Sequence, residues 1–133
     1  MEVKIIDGCA IYEVPFKSLS KETSHKCKQK ILNLYLSTKT TNLILNMEKV
    51  QDIDANGLEV LIFAGSLIQE AKGKISLYGL TSNVKKILMQ SRMYRFFDIN
   101  RTEEESLEFI KDVELSQLYE YRNLKKTLKS QSA

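Results

Sequence analysis

Tryptophan is absent from this 133-residue chain, proline and histidine occur once each, and there are two cysteines and five glycines. Each scarcity excludes something. A single histidine, His25, leaves no multi-histidine metal site, and it has no Ser or Cys partner at a spacing that suggests nucleophilic catalysis. Cys9 and Cys27 have no metal-ligand spacing and cannot form a disulfide framework, so free buried thiols in a reducing compartment are expected. One proline and five glycines leave little material for a flexible linker, and no internal repeat or low-complexity stretch is present. No apolar run approaches the ~20 residues that a bilayer-spanning helix needs. The start, Met1-Glu2-Val3-Lys4, lacks the charged-then-apolar pattern of a secretory leader.

What is present describes one ordinary globular domain: 43% hydrophobic and 28% charged residues with a net charge of +3. The sequence pI near 8.8 suggests nucleic acid, yet no stripe interleaves basic and aromatic residues and no recognised nucleic-acid module occurs. The charge is unevenly spread. Between Thr102 and Glu120, Lys111 stands alone against Glu103, Glu104, Glu105, Glu108, Asp112, Glu114 and Glu120. Arg122, Lys125, Lys126 and Lys129 follow.

Along the chain, Val3-Lys4-Ile5-Ile6 and Cys9 to Val14 are short β-rich runs. Asp7-Gly8 between them suits a two-residue hairpin turn in which both residues take positive φ. Pro15 ends the second strand. Ser18 or Ser20 caps a helix running to about Ser37, with Ile31, Leu32, Leu34 and Tyr35 inward. Leu43-Ile44-Leu45 is continuously apolar, as a strand covered on both faces should be. A helix is expected from Gly57 to Lys72, with Leu58, Leu61, Ala64, Leu67, Ile68 and Ala71 at three- and four-residue spacing and Gly73 as its stop. Ile75-Ser76-Leu77-Tyr78 is the next strand. Thr81 or Ser82 opens a helix carrying Val84, Ile87 and Leu88, and Phe96-Phe97-Asp98-Ile99 reads as the last strand. Tyr94, Phe96 and Phe97 read as core. Thr102-Glu103-Glu104-Glu105 forms a capping box before Leu107 and Ile110. The expected architecture is α/β (α+β): a mixed sheet of four to five strands with an N-terminal hairpin, packed helices and an extra C-terminal helix.

The run Ile53-Asp54-Ala55-Asn56-Gly57-Leu58, directly after the strand Leu43 to Met47, is the most informative stretch. It reads as a polar turn opening a helix. Together with the later pattern from Val84 to Leu107, it resembles the signature of the STAS family, found in sulfate transporters and anti-sigma factor antagonists. The resemblance spans about Val3 to Ile110 and implies a STAS domain over residues 1–112, with 113–133 as a C-terminal helical extension. In that family the turn usually carries a phosphorylated Ser or Thr where this chain has Asn56, and a Ser where it has Ala55. The residues alone make Asn56 a helix N-cap, with Glu59 completing a capping-box pair. Asp52 and Asp54 are expected to hydrogen-bond within the turn.

The resemblance implies a cytoplasmic bacterial regulator, not an enzyme, that needs no cofactor or metal. It would engage a protein partner, an anti-sigma factor or switch kinase, through Asp54, Ala55, Asn56, Gly57, Leu58 and Leu61. Ser82 and Asn83, on a neighbouring helix start, complete the expected surface. The rival expectation is a cytoplasmic STAS subunit of a membrane transporter, as in lipid-trafficking ABC systems. Nucleic-acid binding and membrane insertion are not expected. From Val113 on, Leu115, Leu118, Tyr119, Tyr121, Leu124 and Leu128 could dock on the domain, meet a partner or mediate self-association.

Overall fold

The hairpin forms as the turn chemistry dictates: β1 (Val3–Ile6) pairs antiparallel with β2 (Cys9–Glu13) across Asp7 at φ 50° and Gly8 at φ 79°. These coordinates come from a computed structural model, which describes residues 2–38 and 40–131. The remaining elements alternate: β3 (Ser18–Leu19), α1 (Lys21–Thr38), β4 (Asn42–Asn46), β5 (Asp52–Ile53), α2 (Ala55–Glu70), β6 (Ile75–Tyr78), α3 (Ser82–Gln90), a 3-10 turn (Met93–Phe96), β7 (Asp98–Asn100) and α4 (Glu103–Gln131). The main sheet has five strands in the order β1-β2-β4-β6-β7, parallel except for the hairpin.

Strand alternation divides the core between two layers. Ala10, Tyr12, Leu43, Leu45 and Leu77 face Ile31, Leu34, Leu61, Ala64, Ile68 and Leu88 from α1, α2 and α3. Ile11, Ile44 and Tyr78 face the other way, toward Ile110, Leu107 and Phe109 of α4. Leu43, Ile44 and Leu45 of β4 are buried, as the unbroken apolar run predicts, and so are Asn42 and Asn46 at its ends. A buried polar cluster joins α4 to the sheet. The Ser76 and Ser106 hydroxyls lie 2.7 Å apart, and the Asn100 amide donates to Ser76, Ser106 and the Asp98 carboxylate.

Several expectations need correction. The pair β3–β5, a second parallel two-stranded sheet, has no counterpart in the sequence reading, because two-residue strands carry no periodicity. The Ser20 hydroxyl does not cap α1; it bonds Glu22, and the Thr23 hydroxyl accepts from the Ser20 N–H at 2.9 Å. Leu32 lies exposed, while Cys27 takes the inward position. Helix α2 starts at Ala55 and ends at Glu70, and the left-handed residue behind it is Lys72 at φ 60°, not Gly73. Gly73 is required for another reason: a Cβ there would lie 1.6 Å from the Thr41 carbonyl oxygen. The last strand is displaced from Phe96–Ile99 to Asp98–Asn100. Left-handed Arg92 and the following 3-10 turn direct Met93 and Phe97 inward and leave Phe96 and Tyr94 exposed.

The helix opened by the capping box and the expected C-terminal extension are one element, α4. It continues without interruption to Gln131, because no glycine or proline breaks it. Its start is secured by the Thr102 hydroxyl, which accepts from the Glu105 N–H, and by the Lys4–Glu103 ion pair at 2.7 Å. Further along, the Glu114 carboxylate ties it to the sheet layer by accepting from the buried Asn42 amide at 2.6 Å. Every side chain described in residues 115–127 is exposed, and the side chain of Leu128 lies outside the part the structure describes. Removing residues 115–133 is therefore expected to cost less than about 1 kcal/mol of unfolding free energy, read from urea denaturation. A much larger loss would show that the segment belongs to the core.

Candidate functional site

The turn at residues 51–57 is built on the small β3–β5 sheet. The Gln51 N–H donates to the Lys17 carbonyl at 2.7 Å and the Asp54 N–H to the Leu19 carbonyl at 3.2 Å. The Leu19 carbonyl also faces the Cα of Gly57, where a Cβ would sit 2.1 Å from its oxygen and 2.5 Å from Ile53 Cγ1. Glycine is the only residue that lets α2 start this close to β3.

The N-cap of α2 is Asp54, not Asn56. Asp54 is extended (φ −106°, ψ −171°) and its carboxylate accepts from the Gly57 N–H at 3.0 Å. A carboxylate at a helix start also meets the positive end of the macrodipole. Asn56 thus occupies the second residue of the helix, half-exposed. Its side chain has no hydrogen-bond partner among the described residues, and the expected pair with Glu59 does not form. Asn and Asp cap equally well, so the sequence could not choose between two positions in one turn.

Helix α3 begins beside this turn in the same way. Thr81 is its N-cap, accepting from the Val84 N–H at 3.3 Å, and its hydroxyl also donates to the Val50 carbonyl at 3.4 Å. Asn83 bridges the two elements, donating to the Gln51 carbonyl at 3.0 Å and to Asp52 at 3.4 Å. Ser82, Asn83, Asp52, Asp54 and Ala55 are exposed, and Leu58 is half-buried. Two helix N-termini, each with an asparagine in second position, thus share one continuous surface. Gly57 and Leu61 do not lie on it; both are buried, Leu61 at 1% exposure, and they support the turn from below. Ile62, one turn beyond Leu58, is 48% exposed. Leu61 and Ile62 are equally apolar neighbours, so the sequence alone does not tell which of the two faces outward.

Little else in the molecule offers chemistry. Among the described residues no group of three or more His, Cys, Asp or Glu is placed to hold a metal ion. No helix among them is long and apolar enough to cross a membrane. Both cysteines are free and buried. Burial pushes the Cys9 thiol up to about 11 and the Cys27 thiol up to about 12, from 9.0. Burial likewise raises Tyr12 and takes Tyr78 up to about 12. These groups keep their protons in the folded chain after the unfolded chain has lost them. Their contribution to stability is complete below pH 9 and is lost as pH rises through about 11–12. Urea midpoints are expected to fall over that window, and a midpoint constant to pH 11 would contradict it.

The architecture defines an α/β domain with a mixed five-stranded sheet and a capped turn at a helix start. The chain belongs to the STAS domain family, whose model matches residues 1–106. A candidate anti-sigma factor antagonist of Thermotoga maritima is similar at 25% identity, covering 82% of this chain and 92% of that one, with a TM-score of 0.76. A sulfate transporter family protein of Wolinella succinogenes superposes at TM-score 0.69 and 18% identity, covering 81% and 88%. The anti-sigma factor antagonist SpoIIAA of Bacillus, known in unphosphorylated and phosphorylated forms, is similar at TM-score 0.62 and 15% identity, covering 82% and 96% for the unphosphorylated form. No curated protein matches the chain by sequence.

Proposed function

We propose that this chain is a non-enzymatic binding module of the anti-sigma factor antagonist type, working in the cytoplasm. The surface formed by the starts of α2 and α3 docks an anti-sigma factor or switch kinase. The observation that carries this reading is the bridging of the two helix starts by Asn83, which holds Asp54, Ala55, Asn56 and Leu58 on one surface with Ser82. The positive ends of two helix dipoles meet at this surface, which suits hydrogen-bond acceptors of a partner.

In this reading Asn56 stands where relatives carry a phosphorylated hydroxyl. Neither Asn56 nor Ala55 can accept phosphate, so the chain lacks the usual means of placing nearly two negative charges on the docking surface. It behaves as a constantly competent binder. Incubation with extract of its source cells and ATP, followed by intact mass, is expected to give no phosphate on the turn at residues 52–58. Asn56→Ser is expected to gain one phosphate where a cognate kinase docks. Phosphate mapped to Thr81 or Ser82 of the unaltered chain would contradict constant competence.

The second reading, a STAS subunit of a membrane transporter, is favoured by the likeness to the Wolinella sulfate transporter family protein. Affinity capture separates the two. Co-purification of a histidine-kinase-like anti-sigma factor supports the first, and of permease and ATPase subunits the second.

A further inference from the structure

From Leu118 to Leu124 α4 carries an apolar stripe that no described residue covers. Leu107, Ile110 and Val113 are the residues that α4 lays toward the sheet layer, and all three are buried or half-buried. Eleven residues further on, about three turns at 3.6 residues each, come Leu118, Tyr121 and Leu124. They continue the same helical face beyond the edge of the domain, where they are exposed at 44%, 56% and 58%. The buried face of α4 therefore does not stop where the domain stops.

Charge indicates what covers it. The helix is acidic up to Glu120, through Glu108, Asp112, Glu114 and Glu120 with Lys111 among them, and basic from Arg122 through Lys125 and Lys126. A parallel pair would set acidic against acidic and basic against basic. An antiparallel pair sets the basic end of one helix against the acidic stretch of the other, twice, as a two-fold axis requires. Lys125 already lies over the Tyr121 ring, 5.2 Å from its centroid, at the border of the stripe.

We propose that the α4 extensions of two copies of this chain pair antiparallel through Leu118, Tyr121 and Leu124, with Arg122 facing Glu120 and Lys125 lying near Glu114 of the second copy. The pairing leaves the starts of α2 and α3 open, since α4 packs on the opposite face of the sheet. The contact is short, so the dimer is a weak one, formed at tens to hundreds of micromolar.

Sedimentation velocity of the full chain tests it. A dimer is expected at high concentration in about 50 mM salt, weakening several-fold in about 500 mM salt as screening shortens the reach of the charges. Leu118→Ser with Leu124→Ser is expected to abolish the dimer, and Arg122→Glu with Lys125→Glu to weaken it at least tenfold. All four positions are exposed, so folding is retained and circular dichroism verifies it. Direction is read from spin labels on Lys111→Cys and Thr127→Cys, Cys9 and Cys27 being buried. Mixed Lys111- and Thr127-labelled chains are expected to give the short distance. Labels at one position alone are expected to lie roughly 20 Å farther apart along the axis. A monomer at every concentration, a dimer that survives both pairs of substitutions, or short distances between identical positions would each overturn the proposal.

Discussion

Gly57→Ala is expected to be the most damaging single-methyl change in this protein. The added carbon would lie 2.1 Å from the Leu19 carbonyl oxygen and 2.5 Å from Ile53 Cγ1. Ile53 is a side chain with some freedom, but Leu19 belongs to β3, whose backbone also accepts from the Asp54 N–H. Relief requires α2 to withdraw from the β3–β5 sheet, which breaks the bond and moves the Asp54 cap. A loss on the order of 3 kcal/mol or more follows, a large fraction of the 5–15 kcal/mol typical of a domain. Thermal and urea unfolding would measure it. A variant as stable as the parent would contradict the role of Gly57 in seating α2 against Leu19.

Asn56→Asp is expected to separate binding from stability. Asn56 is the second residue of α2, half-exposed and without a hydrogen-bond partner among the described residues. A carboxylate there meets the favourable end of the helix dipole, so unfolding free energy is expected to change by less than about 0.5 kcal/mol. A partner packed over the same place would have to desolvate a new charge close to Asp54 and Asp52. Affinity is expected to fall about tenfold or more, corresponding to roughly 1.4 kcal/mol. Titration calorimetry with the captured partner gives the number, and equal unfolding midpoints show that the fold is unchanged. The two substitutions are adjacent and opposite: one attacks the scaffold, the other only its surface.

The elements legible in the sequence were those specified by local chemistry. Asp7-Gly8 specifies the hairpin through positive φ, and Leu43-Ile44-Leu45 specifies a strand buried on both faces. The alternation of helix and strand, with the run from Ile53 to Leu58, specifies the layered architecture. The failures occurred where longer-range geometry decides. Ser18–Leu19 and Asp52–Ile53 become strands only through each other. Phe96 has the composition of a strand residue but is turned outward by the left-handed Arg92 four residues earlier. In the candidate site the run from Ile53 to Leu58 does open a helix, while its cap was misplaced by two residues. Both Asp54 and Asn56 satisfy capping preference, and only the distance to the Gly57 N–H distinguishes them. The continuity of α4 could have been inferred from the absence of any breaker after Glu103. Its exposed tail could not, because the boundary of the sheet layer is not written in the helix.

The docking role of the paired helix starts is the central claim, and hydrogen–deuterium exchange of the chain with and without its captured partner tests it most directly. The account expects added protection in residues 51–62 and 81–85, with the 3-10 turn at Met93–Phe96 and the α4 extension unchanged. Protection confined to those latter segments, with the starts of α2 and α3 exchanging as in the free chain, would contradict it.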